Sequence, residues 1–186
     1  TFSQAMKGLA AVVQVFLSVV RAGCADAPDG NTLLGIFGGD LFEAALLNRP
    51  EREEGTATAI ATLCAIFTGC ARSCFAPRYL AGLYSAVRAC LASPYHSPVL
   101  IATLQSTEAL FTADFAGARV LVPYYVRAIE GIMTAHLDKQ GMGAAAIERY
   151  RVTCLGIVAR LLGLRNRFQG ARFPVEVPGV DPSLPP

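Results

Sequence analysis

Chemistry in a protein needs converging acids, bases, nucleophiles or metal ligands, and the residues here that can supply them are few and scattered. Asp40 and Glu43 are three apart and would lie one turn apart on a helix. They are a candidate carboxylate pair, but Leu41 and Phe42 between them fit a solvated helix face, and no Glu-x-x-His motif joins them to a metal. His96 follows Tyr95 in a Pro-bounded turn, where an exposed or capping role fits. His136 falls near a helix end, where a cation complements the helix dipole. Neither histidine stands at ligand spacing from the cysteines at 24, 64, 70, 74, 90 and 154, and no C-x-x-C occurs. Cys70 and Cys74 are one turn apart only if one helix carries both. Cys64, Cys70 and Cys90 fall on apolar stripes and read as small hydrophobes in a reduced state. Reduced thiols point to a reducing, cytoplasmic compartment.

The glycines at 35, 38 and 39 form no phosphate loop, for no strand precedes them and no Gly-Lys-Ser/Thr follows. No serine has a His and an acid nearby in sequence to make a triad. Tyr124 and Tyr125 can stack on a ligand or pack between helices. Basic residues thicken late, at Arg149, Arg151, Arg160, Arg165, Arg167 and Arg172. Arg149 and Arg160 share a helix face loosely. The run reads either as a solvated face or as a contact for an acidic protein partner. The candidate partner-binding set is therefore Arg149, Arg160, Arg165, Arg167 and Tyr124. No catalytic residue, cofactor site or metal site is assigned.

Elements to position these residues are plain in the apolar pattern. Apolar residues recur every three to four positions, with breaks at Pro, Gly and Asn, and almost nothing alternates as a strand would. Seven helices are expected: about Ser3–Ala22, Thr32–Asn48, Thr56–Ala71, Pro77 to before Pro94, Pro98 onward, from about Pro123, and Ala144–Leu164. Ser97 as a cap followed by Pro98 is the clearest start. Glycines 35, 38 and 39 should weaken or split the second helix. The expected inner stripes include Leu9, Val13, Phe16 and Val20; Ile60, Leu63, Ile66 or Phe67, and Cys70; Ile129, Ile132 and Met133; and Tyr150, Cys154 or Leu155, Val158, Leu161 and Leu162.

The fold expected is all-α. Residues 1–164 form antiparallel helix pairs of roughly 40 residues, the third helix with the fourth and the fifth with the sixth, the unit length of an armadillo/HEAT-like solenoid; the alternative is a compact helical bundle. Residues 165–186, with five prolines, form an extended tail. The 186 residues are 53% hydrophobic and 16% charged, more apolar than a typical soluble domain. A chain starting with Thr reads as a fragment or processed piece whose ends leave apolar surface. The stretch Gly8–Val20, between Lys7 and Arg21, imitates a signal peptide but is too short to span a bilayer and reads as a buried helix. A net charge of +2 argues against nucleic acid as the main partner.

Three stretches carry a family likeness. One is Asp29-Gly30-Asn31-Thr32-Leu33-Leu34 with Asp40-Leu41-Phe42-Glu43-Ala44-Ala45. The second is residues 59–67, AIATLCAIF. The third is Leu110-Phe111, then residues 114–125, DFAGARVLVPYY, ending in Ala128-Ile129-Glu130. Together, over residues 29–133, they resemble the helical region of Ral GTPase-activating protein subunits of the catalytic α type, relatives of tuberin. In that family the GTPase-activating unit is a separate α/β domain near the C-terminus that supplies an asparagine. The resemblance thus implies a scaffold segment that holds a second subunit or partner, with a Ral- or Rap-type GTPase reached through the parent protein. A scaffold of another cytosolic assembly, or a helical ligand-binding enzyme domain, is the competing reading.

Overall fold

A computed structural model describes residues 1–163 other than 48, 72, 114 and 138–140. Those residues form seven α-helices and no strand: α1 Phe2–Arg21, α2 Gly30–Ala45, α3 Glu53–Gly69, α4 Pro77–Leu91, α5 Pro98–Thr107, α6 Val122–Thr134 and α7 Ala144–Gly163. Short 3-10 turns at Pro50–Arg52 and Ala118–Leu121 lead into α3 and α6. The all-α expectation holds, and most helix boundaries fall within three residues of those read from the pattern. The expected tail, 165–186, lies outside the described residues.

Side-chain caps fix three of the starts. Thr1 and Gln4 form a reciprocal capping box, which begins α1 six residues before the apolar stretch at Gly8. Asp29 Oδ1 accepts from the Thr32 amide at 2.8 Å and starts α2. Ser97 Oγ accepts from the Val99 amide at 3.2 Å and donates to Glu53 Oε1 at 3.0 Å, so one hydroxyl caps α5 and ties it to α3. The three glycines of α2 do not split it. Leu33, Leu34 and Leu41 are buried on the same helix, and that burial outweighs the propensity loss of about 1 kcal/mol per glycine.

Packing is organised around α3, which touches α1, α2, α4 and α5. Its sequence allows this. Gly55, Ala57, Ala59 and Thr62 are small, and with Ile60, Leu63, Cys64, Ile66 and Phe67 they bury most of its circumference. The buried threonines are satisfied internally: Thr62 Oγ1 donates to the Thr58 carbonyl at 2.7 Å, and in α5 Thr103 and Thr107 donate one turn back, each at 2.7 Å. Odd-numbered helices contact one another in chain order, α1 on α3, α3 on α5 and α5 on α7; the even-numbered ones do likewise, α2 on α4 and α4 on α6. The expected pairing of α3 with α4 is present. The main neighbours of α6 are instead α4, α7 and the 118–121 turn, rather than α5. One continuous apolar core draws on all seven helices.

Two expected inner positions face solvent: Met133 is 41% exposed and Leu162 81%. Of the alternatives Cys154 and Leu155, Cys154 is the buried one and Leu155 is 55% exposed. On α7 the buried positions are Tyr150, Cys154 and Ile157, so α7 turns a narrower stripe inward than its apolar content implies. On α1 the fully buried pair is Val13 and Leu17. At 20 residues, α1 is long and apolar enough by composition to cross a membrane, where the stretch from Gly8 alone is too short. In the fold it packs on α3, with Lys7 Nζ 2.6 Å from Glu54 Oε1.

Candidate functional site

The late arginines do not act as one group. Arg160 Nε and Nη2 both donate to Glu108 Oε1, at 3.0 and 2.9 Å, linking α7 to the end of α5. That guanidinium is committed within the fold. Arg149 is exposed and makes no ion pair among the described residues. Eleven residues apart on a regular helix is about three turns, so Arg149 and Arg160 lie closer to one face than the loose match read from sequence. Arg151 is half-buried, and its Nε is buried without a hydrogen-bond partner among the described residues. Arg165 and Arg167 lie outside the described residues.

Tyr124 and Tyr125 part ways. Tyr125 is fully buried and meets Phe111 edge-on, with ring centroids 5.0 Å apart. Its hydroxyl has no hydrogen-bond partner among the described residues, and burial pushes its pKa well above the usual tyrosine value. Thr107 lies beside it but donates to the Thr103 carbonyl. Tyr124 is half-buried at the surface, and the Arg88 guanidinium carbon of α4 sits 5.8 Å from its ring centroid. Sequence reasoning overlooked Arg88. The signal was there in the acid distribution: from Glu54 to Glu108 no Asp or Glu intervenes.

The other chemistry-bearing residues stay apart. Asp40, Glu43, His96 and His136 are exposed. Cys70 follows the last residue of α3, so Cys74 does not share its helix. Among the described residues no three His, Cys, Asp or Glu side chains are placed to hold a metal ion. An open groove of about 430 Å³ runs between α1, α3 and α5, floored by Ala10, Ala57, Ala61 and Ala102. Its carboxylate, Glu54, is already engaged by Lys7 and by the Ser3 hydroxyl at 2.6 Å, which hold its pKa below the usual range. The groove offers shape and a few polar rims but no paired acid and base.

All six cysteines are free thiols. Burial pushes Cys64 up to about 12, and Cys90 and Cys154 to about 11. Cys24 and Cys74 are exposed. Iodoacetamide labelling of the native chain near pH 8 should modify Cys24 and Cys74 first, and Cys64, Cys90 and Cys154 only on unfolding; peptide mass mapping checks it. The raised thiols favour the protonated folded state. Their stabilisation is therefore whole below the unfolded thiol pKa and is lost as pH climbs through 9 towards 11–12.

What this geometry defines is a helical stack with an acid-poor α4 and no assembled reaction centre among its described residues. The chain is 33% identical, over 99% of its length, to a Rap-GAP domain-containing protein of Dictyostelium discoideum. The likeness supports a relationship to Rap-GAP proteins. The chain spans 11% of that protein's length. No family model and no solved structure matches it.

Proposed function

We propose that this chain is a non-catalytic helical scaffold segment of a small-GTPase-activating protein of the Ral/Rap type, and that it holds a second subunit or partner of that assembly in the cytoplasm. The observation that carries the reading is the 33% identity, along 99% of this chain and 11% of the relative, to a Rap-GAP domain-containing protein. The successive contacts along odd and even helices fit an armadillo/HEAT-like solenoid, a form that presents long surfaces to other proteins.

The test measures GTP hydrolysis by Ral and Rap with residues 1–186 alone, with the full parent protein, and with the parent lacking this segment. The isolated segment should leave hydrolysis at its intrinsic rate. The shortened parent should lose a co-purifying subunit while its activating domain still acts. Acceleration of about tenfold or more by the segment alone would overturn the assignment.

A further inference from the structure

The longest interval of the chain without Asp or Glu, 55–107, contains α4, and α4 packs beside α6. At one level Arg88 lies against the Tyr124 ring. Seven residues further along each segment, the Tyr95 ring covers the backbone of Gly131. The two contacts climb in the same order, about 10 Å apart on a regular helix. Between them, one turn on from Tyr124, stands Arg127. Arg88 and Arg127 are exposed, Tyr124 is half-buried and Tyr95 is 38% exposed. Neither arginine is in an ion pair among the described residues, whose pairs are Lys7–Glu54 and Arg160–Glu108.

Charge supports one kind of occupant. The intervals 55–107 and 115–129 contain no Asp or Glu, and Glu130, one turn past Arg127, is the nearest acid in sequence. The two guanidiniums, in no ion pair among the described residues, flank a tyrosine, and Glu130 is the one acid that α4 and α6 carry against Arg78, Arg88 and Arg127, so the local charge is net positive. Arg and Tyr are also the side chains that dominate binding energy at protein interfaces, through planar contact area and low ordering cost. Exposed Val126, at 54%, adds apolar surface on the same helix. We infer that the Arg88–Tyr124–Arg127–Tyr95 strip docks an acidic, carboxylate-bearing segment of a protein partner. The guanidiniums pair with its carboxylates and the two rings cover its backbone. The inference rests on the scaffold reading and gives its partner a chemistry; it moves the interface from the α7 arginines to α4 and α6.

The experiment uses the whole 186-residue chain and a fluorescein-labelled octaglutamate peptide, read by anisotropy at low salt. The wild-type chain should bind, and added salt should weaken it. The double variant Arg88→Glu/Arg127→Glu should lose about tenfold or more in affinity, while Arg21→Glu, at an exposed position on α1, should bind within about twofold of wild type. Circular dichroism and the thermal midpoint confirm that the variants fold; Arg88→Gln/Arg127→Gln repeats the loss without charge reversal. Absence of wild-type binding, or equal loss in Arg21→Glu, would overturn the strip. So would phosphatidylserine vesicles that bind wild type more tightly than the peptide and release the double variant, for they would make the occupant a lipid surface. Because peptide binding and GTP hydrolysis are separate readouts, failure here leaves the scaffold reading standing, and acceleration of hydrolysis by the isolated chain leaves the strip standing.

Discussion

Leu63→Ala should lower the stability of this chain by about 3 kcal/mol, within the range of roughly 2–5 kcal/mol seen for leucine deletions in closed cores. Leu63 has no exposed surface and sits midway along α3, the helix that contacts four others. Ile60, Ile66 and Phe67 beside it are equally buried. Removing three carbons there leaves a cavity that several rigid helices would have to close together, so relaxation recovers little. Urea unfolding checks the effect as a fall in midpoint with the slope unchanged. The matching control is Leu162→Ala. The same atoms are removed, but Leu162 is 81% exposed, so the change should stay within about 0.5 kcal/mol. Equal effects at the two positions would mean that α3 is not the centre of the stack.

That contrast also marks how far the sequence could be read. Helix number and several starts were legible because caps and prolines act locally: Ser97, Pro77 and Pro98 do their work within one turn. The α3 stripe was legible because it is crowded with apolar side chains on every side. The α7 stripe was not. Val152, Leu155 and Leu162 are as apolar as the residues that went inside, and periodicity alone does not say which of two neighbouring apolar faces meets a partner helix. The contact between Arg160 and Glu108 spans 52 positions, and the contact of Arg88 with Tyr124 joins different helices. Such pairings are set by how helices stack, which no local pattern encodes. Of the five candidate binding residues, Tyr124 gained a neighbour of binding character, Arg160 was consumed by an internal ion pair, and Arg149 stands alone at the surface.

Helix stacking decides the second large effect too, at glycines where propensity alone gives the wrong sign. Alanine in a helix is favoured over glycine by about 1 kcal/mol, so Gly30→Ala and Gly131→Ala should both stabilise if nothing else mattered. Both positions lie under an aromatic ring. A Cβ on Gly30 would enter the Phe75 ring and meet Cys70 Cβ at 3.1 Å. Phe75 is 6% exposed and held by Phe67, 4.4 Å away between centroids, and by Phe115 at 5.7 Å. It has nowhere to go without opening the α3–α4 junction. There the Asn31 side chain already clamps the Ala76 amide and the Cys74 carbonyl, both at 2.9 Å. Gly30→Ala should therefore destabilise by about 1–3 kcal/mol, as overpacked sites do. A Cβ on Gly131 would enter the ring of Tyr95, but Tyr95 is 38% exposed and stands in a turn. Its ring can swing into solvent, which gives back a little buried area and keeps the alanine gain. Gly131→Ala should change stability by less than about 1 kcal/mol in either direction. Thermal unfolding of the two variants side by side tests the difference. If Gly131→Ala were the costlier change, the Tyr95 ring would be a fixed part of the core, and the α4–α6 strip it borders would be a packed seam with no room for a partner's chain.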